Sequence, residues 1–209
     1  MSPAPVIGLV DDEPGMLKAL QRLLGAVGFR VCPFASAAEF LEHGDPASVD
    51  CLVLDVSMPG LTGLELQAEL NLRGVRLPLV FLTGQGDIPM SVRAIKAGAV
   101  NFLTKPVDDS ELLAAVRAAL EEARRIRTDE RELADVRQRF ARLTPREVEV
   151  LRHVIAGKLN KQIAADLGTS EQTIKVHRMR IAAKLGRPSV AEWVRAAERL
   201  GVKPPGPRA

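Results

Sequence analysis

Val6-Ile7-Gly8-Leu9-Val10-Asp11-Asp12-Glu13 is the stretch on which the fold turns. Five apolar residues run without alternation and then stop at three acids. An apolar run this short, with no polar face, is a strand covered on both sides. The acids mark its carboxyl end. Four similar runs follow: Phe29-Arg30-Val31-Cys32-Pro33-Phe34, Cys51-Leu52-Val53-Leu54, Leu79-Val80-Phe81-Leu82 and Val100-Asn101-Phe102-Leu103. Most are bounded by Gly, Pro or Asp. Between them the apolar period changes to that of a helix. Leu17, Leu20, Leu23, Leu24 and Val27 recur at three and four, with Gly28 as a stop. Phe40-Leu41, then Leu64, Leu66 and Leu70, then Ile88, Val92, Ile95 and Ala99 mark three more helices. Leu112, Leu113, Val116 and Leu120 mark a fifth. Five strands alternating with five helices predict an α/β doubly wound, five-stranded parallel sheet, flavodoxin-like, over residues 1–122.

In such a sheet the site lies outside the carboxyl ends of the strands, where strand order switches. Asp11 and Asp12 follow the first strand, Asp55 ends the third, Thr83 ends the fourth and Lys105-Pro106 follows the fifth. Taken singly, an Asp after a strand is a helix cap or a turn residue. Taken together, these residues place three carboxylates, a hydroxyl and an ammonium at one crevice. Clustered carboxylates repel one another and invite a hard cation such as Mg²⁺. A lysine and a hydroxyl opposite an aspartate orient a phosphoryl group, and the aspartate can itself be the nucleophile.

Composition sets the wider limits. The 209 residues are 46% hydrophobic and 26% charged, which excludes a disordered chain. No apolar run reaches membrane-spanning length, and the N-terminus lacks the basic region of a secretory signal. Cys32 and Cys51 stand without zinc spacing, so two buried thiols in a reducing cytoplasm are expected. The formal net charge of +3 hides an asymmetry. Residues 1–122 hold 16 acids and 9 Lys/Arg, whereas residues 123–209 hold 10 acids and 20 Lys/Arg. The acidic part suits a divalent cation and the basic part a polyanion such as DNA.

From Asp108 to Phe140 there is neither Gly nor Pro, and Leu112, Ala119, Ile126, Leu133 and Phe140 recur every seven residues. The complementary heptad positions, Val116, Ala123, Glu130 and Arg137, are poor. A solvated helical linker over 123–142 and a helix paired with a second chain both fit this pattern. Beyond it, Thr144-Pro145-Arg146-Glu147 is a capping box with proline at the first helical position. A short helix from Lys161 to Leu167, a turn at Gly168-Thr169-Ser170 and a longer helix from Glu171 to Leu185 form a helix-turn-helix unit. The longer helix presents Thr173, Lys175, Val176, His177, Arg178 and Arg180 near its N-terminal end, where a recognition helix reaches base edges and phosphates. His43 and His153 stand too isolated to build a site.

Residues 1–122 resemble the receiver domain of a two-component response regulator. The resemblance is carried by Val10-Asp11-Asp12-Glu13, Asp55-Val56-Ser57-Met58-Pro59-Gly60, Leu82-Thr83-Gly84 and Lys105-Pro106. It implies that Asp55 accepts phosphate from a sensor histidine kinase. It implies Mg²⁺ held by Asp12, by Asp11 through water, by Asp55 and by the backbone carbonyl of Ser57. Lys105 would pair with the phosphoryl group, Thr83 would move toward it, and Phe102 would be the aromatic switch residue. A cis peptide before Pro106 is implied too. Residues 144–186 resemble the LuxR-type helix-turn-helix of NarL/FixJ response regulators, through Leu143-Thr144-Pro145-Arg146-Glu147, Asn160-Lys161-Gln162-Ile163-Ala164, Thr173-Ile174-Lys175-Val176-His177 and Lys184-Leu185. This implies an output domain over 143–209 with Lys175, Val176 and Met179 facing bases. Its last helix, Ser189 to Leu200, would dimerise through Val190, Trp193, Val194 and Ala197.

The expected protein is a cytoplasmic transcription factor switched by phosphorylation. It would dimerise through the face from Ile88 to Glu122 and bind double-stranded promoter DNA, with RNA polymerase a further partner. It would have no enzymatic output beyond Mg²⁺-dependent phosphorylation and dephosphorylation of its own receiver. Two other readings compete with this one. One is a receiver-controlled protein-interaction module without DNA binding. The other is a phosphatase of the haloacid-dehalogenase type, which needs a second acid two residues after its nucleophile, where this chain has Ser57.

Overall fold

A computed structural model describes residues 3–84, 88–186 and 189–205. The chain forms two compact units, Met1–Arg127 and Thr128–Ala209. In the first, β1 (Val6–Val10), β2 (Arg30–Phe34), β3 (Cys51–Asp55), β4 (Leu79–Thr83) and β5 (Asn101–Thr104) form a parallel sheet of order β2-β1-β3-β4-β5. The helices are α1 (Pro14–Ala26), α2 (Ala37–His43), α3 (Gly63–Leu72), α4 (Ile88–Lys96) and α5 (Asp109–Ala141), the last contributing to both units.

The unbroken apolar strands are explained by cover on both faces. Along β3, Cys51 and Val53 point to one side and Leu52 and Leu54 to the other, and all four are fully buried. Leu52 and Leu54 join Phe40, Leu66 and Phe81 in one cluster. Cys51 and Val53 join Leu20, Leu24, Leu112 and Val116 in the other. Each such aliphatic contributes about 1.5–3 kcal/mol by leaving water. Burial, and secondarily the charge of Asp50, push the Cys51 thiol up to about 12, so it stays an inert thiol. Cys32 is only half-buried.

Local chemistry sets the helix starts. Pro14 opens α1, the hydroxyl of Ser36 caps α2, and Thr62 with Glu65 forms a reciprocal capping box on α3. The apolar stripe that marks α4 is turned outward. Ile88 is 80% exposed, and Val92 and Ile95 are also exposed, while Ala94 is buried. A small residue lets α4 approach the sheet, and buried Gln67 of α3 donates to the carbonyl of Ala94 at 3.1 Å.

In the second unit, α6 (Pro145–Ile155), α7 (Asn160–Asp166), α8 (Glu171–Leu185) and α9 (Val190–Arg199) surround Val150, Leu151, Ile163, Ile174, Ile181, Leu185 and Trp193. Phe140, from the last turn of α5, packs against this core, and Val136 is buried as well. The sevenfold spacing in α5 therefore has an occupant within the chain at several of its positions. Leu112, Ala119 and Ile126 are buried in the first unit, and Phe140 serves the second. The apolar side of α9 is likewise spent inside its own unit, since Trp193 and Ala197 are buried and Val190 packs on the core.

Candidate functional site

The chain leaves β1 for β2 on one side and later enters β3 on the other, so the order switches between β1 and β3. Asp11 follows β1 and Asp55 ends β3 at that point. Asp11 extends the ladder, its N–H donating to the Phe34 carbonyl at 3.2 Å. Its Oδ1 accepts from the Glu13 N–H at 2.9 Å, a tight local turn that fixes the carboxylate. Asp55 Oδ1 accepts from the Ser57 N–H at 3.3 Å. Gly63 closes in beneath, where a Cβ would collide with the Asp55 carbonyl. Only glycine fits the opening turn of α3 at this distance.

Carboxylate oxygens of Asp11, Asp12 and Asp55 all lie within 4.8 Å of one another. Asp11 and Asp55 are buried, and Thr83, at the end of β4, is fully buried beside them in the strand order. Lys105 is aimed by β5, its N–H donating to the Thr83 carbonyl at 2.7 Å, and the peptide to Pro106 is cis, as expected. Its Nζ donates to Asp11 Oδ2 at 2.8 Å and to Asp55 Oδ2 at 3.0 Å. Burial alone pulls the ammonium down. Hydrogen bonds to Asp11 and Asp55, with their charges, outweigh it and hold Lys105 above its ordinary value. Phe102 is half-buried, its ring 6.1 Å from that of Phe81. One ammonium against three carboxylates leaves a net negative pocket lined by hard oxygen donors. That donor set fits Mg²⁺, which favours a few carboxylates together with waters and phosphate oxygens.

The residues expected to meet DNA divide into two groups. Thr173, Lys175, Met179 and Arg180 are exposed, with Met179 65% exposed. Ser170 caps α8 by accepting from the Thr173 N–H at 3.1 Å. Val176, His177 and Arg178 are half-buried. His177 buries its Nδ1 without a hydrogen-bond partner among the described residues. The Arg178 guanidinium lies 6.0 Å from the centroid of the Trp193 ring, within cation–π reach and toward α9.

Some contacts had no signal in the sequence. His153 Nδ1 stands 3.4 Å from Asp166 Oδ2, which also takes Lys158 Nζ at 2.7 Å. Buried Glu147, the capping-box acid of α6, accepts from Lys184 Nζ of α8 at 2.6 Å. Burial by itself raises this carboxyl. The Lys184 hydrogen bond, the Thr144 hydrogen bonds and the Lys184 charge reverse that, so it sits below the usual range. A lowered folded value means the stabilisation is full above the unfolded value of about 4.3 and is lost as pH falls through the folded one. Glu147→Gln is expected to cost about 2 kcal/mol near neutral pH. The difference from the unchanged chain should shrink in thermal melts as pH falls below the unfolded value and vanish once the folded carboxyl is protonated. A gap independent of pH would remove the charge from the account.

Among the described residues no helix is long and apolar enough to cross a membrane. A doubly wound sheet with a carboxylate pocket at its switch point, in a chain that also carries a helix-turn-helix unit, defines a phosphoacceptor module with a nucleic-acid-binding output. Comparison with known proteins narrows this class. Residues 7–117 match the response regulator receiver domain, and residues 141–197 match the luxR family of bacterial regulatory proteins. Nodulation protein W of Bradyrhizobium diazoefficiens is 44% identical over 197 residues, covering 94% of this chain and 87% of that protein. The transcriptional regulatory protein FixJ of Azorhizobium caulinodans is 41% identical over 198 residues, covering 95% and 94%. Among solved structures, the response regulator StyR aligns with a TM-score of 0.79 at 43% identity over 94% of this chain and 99% of that one. Full-length FixJ from B. japonicum aligns with a TM-score of 0.58 at 38% identity over 96% and 98%. The chain belongs to the two-component response regulators of the NarL/FixJ type, with a receiver and a LuxR-type output domain. It is a phosphorylation-dependent, DNA-binding transcriptional regulator, which removes the interaction-module alternative.

Proposed function

We propose that Asp55 is the phosphoryl acceptor and that Lys105, Thr83 and the Asp11–Asp12 pair are its machinery. The observation that carries this is Lys105 Nζ, held between Asp11 and Asp55 at the strand-order switch. An Asp55 carboxylate oxygen attacks the phosphorus of a phosphohistidine on a sensor kinase. The new P–O bond replaces the P–N bond, and the imidazole leaves, taking a proton. Asp11, Asp12, Asp55 and the Ser57 carbonyl would hold Mg²⁺, which when bound neutralises charge on the phosphoryl oxygens. Lys105 already donates to Asp55, so the added oxygens fall within its reach. Acyl phosphate replaces a single negative charge by roughly −2. Thr83, on the neighbouring strand end, turns its hydroxyl toward that charge, and Phe102 follows in β5.

The consequence is dimerisation through the exposed stripe of Ile88, Val92 and Ile95 on α4. An outward apolar row is the feature expected of a self-association face. Two recognition helices then meet a two-fold duplex, with Thr173, Lys175, Val176, Met179 and Arg180 at the groove and His177 and Arg178 beside it. Promoter DNA and RNA polymerase make the cytoplasm its place of action. Acetyl phosphate with Mg²⁺ is expected to convert monomer to dimer in sedimentation and to tighten binding to a duplex selected from a random pool. Lys175→Ala should weaken that binding, and a salt slope flattened by about one unit would assign Lys175 to phosphate rather than to a base edge. A phosphorylated chain that stays monomeric and binds no duplex overturns the reading.

A further inference from the structure

The last turns of α5 belong to the second unit, and between buried Val136 and core-packed Phe140 stands Arg139. Its Nε donates to Asp135, one turn earlier, at 3.0 Å. Its Nη1 donates to the main-chain carbonyl of Leu185 at 3.0 Å. Leu185 is the last residue of α8. The final carbonyls of a helix lack partners inside it and carry the negative end of its dipole. A guanidinium at this place satisfies both. Gly186, next in the chain, makes the room. It is left-handed, with φ 62° and ψ 26°, and its N–H closes on the Ala182 carbonyl at 2.9 Å. A Cβ there would collide with the Arg139 guanidinium. Glycine is thus required by backbone conformation, and Arg139 occupies the space that the missing Cβ leaves. One residue before Leu185, Lys184 is tied to Glu147 of α6.

α8 is therefore gripped at its C-terminal end, while Thr173, Lys175 and Val176, placed at the groove, lie toward the opposite end. Its 15 residues span about 22 Å, so a tilt of about 5° at the grip moves the far end by about 2 Å. Bidentate base contacts tolerate about 0.5 Å. Phosphate contacts, made by flexible cationic side chains, tolerate far more.

We propose that Arg139 is a positioning residue for base recognition: from α5 it clamps the C-terminus of α8 and fixes the angle at which the recognition helix meets base edges. It lies outside the segment matched to the luxR family. The proposal rests on α8 being the recognition helix.

The test uses the phosphorylated full chain, a duplex selected from a random pool, and a random-sequence duplex of the same length. Arg139→Gln should lower the ratio of selected to random affinity by about tenfold, with random-duplex affinity changed by less than about twofold. Arg139→Lys, which keeps the cation but not the fork, should restore part of the ratio. Gly186→Ala pushes the guanidinium off Leu185 and should lower the ratio too. Its effect should shrink in the Arg139→Gln background. If Arg139→Gln does not fold, Arg139→Lys carries the test alone, with a partial loss of the ratio expected. An unchanged ratio, or equal losses on both duplexes, overturns the positioning role. Failure of the unmutated chain to bind either duplex instead overturns the assignment of α8, and this proposal with it.

Discussion

Asp55→Asn is expected to reduce labelling by acetyl phosphate and Mg²⁺ at least about a hundredfold, from stoichiometric to background. The carboxamide keeps the size of the side chain and an oxygen that can still accept from Lys105. It offers no anionic oxygen to form an acyl phosphate. The neighbours are poor substitutes. Asp11 has both oxygens engaged, Oδ1 by the Glu13 N–H and Oδ2 by Lys105. Asp12 is half-exposed and lacks the lysine. The fold should survive, because the change removes one of three mutually repelling charges. Melting temperature should hold or rise, which separates a lost acceptor from a lost structure. The variant's duplex affinity should also stop responding to acetyl phosphate. Stoichiometric labelling of the folded variant would place the acceptor elsewhere.

The receiver half of the chain was legible because its physics is local. An apolar run without a polar face means cover on both sides, and in a parallel sheet every strand delivers its last residue to the same edge. Standing at the end of a strand, or next after it, was thus enough to bring Asp11, Asp55, Thr83 and Lys105 together, though Asp11 and Lys105 are 94 residues apart. Periodicity carries no such information about which way a stripe faces. Ile88, Val92 and Ile95 repeat like a buried row, yet Ala94 is the residue turned inward. Exposed isoleucine and alanine-lined contact are set by the distance of α4 from the sheet, which no local pattern encodes. Basic residues on α8 were open to a similar ambiguity. Arg178 has the composition of a DNA contact but lies over Trp193, a partner chosen by packing of α9. The clamps on α8 were out of reach altogether. Lys184 meets Glu147 across 37 residues and Arg139 meets Leu185 across 46, with no shared sheet edge to announce either.

Lys105→Met should bring the largest loss of stability in the receiver. Its ammonium is the cation bonded to Asp11 and Asp55, and all three side chains are shielded from water, at 11%, 1% and 6% exposure. Methionine matches the length and apolar stem but leaves two buried carboxylates facing each other with Asp12 nearby. Removing one partner of a buried ion pair costs about 3–5 kcal/mol, because the charge left behind keeps its desolvation cost without its compensation. The lower figure is apt here, since half-exposed Asp12 keeps part of its hydration and relieves part of the field. For a unit of this size, about 3 kcal/mol lowers the melting temperature by roughly 10 °C. Millimolar Mg²⁺ should recover most of it. A ligand present at about a hundred times its dissociation constant adds about 2.7 kcal/mol to the folded state. Three carboxylates freed of a competing ammonium bind a dication more tightly than the same three with it. Mg²⁺ should therefore stabilise Lys105→Met more than it stabilises the unmutated chain, an ordering opposite to that of a mutation that merely damages the core. Equal Mg²⁺ shifts in both proteins, or a variant that melts like the parent, would mean that Lys105 is not the counter-charge of this pocket.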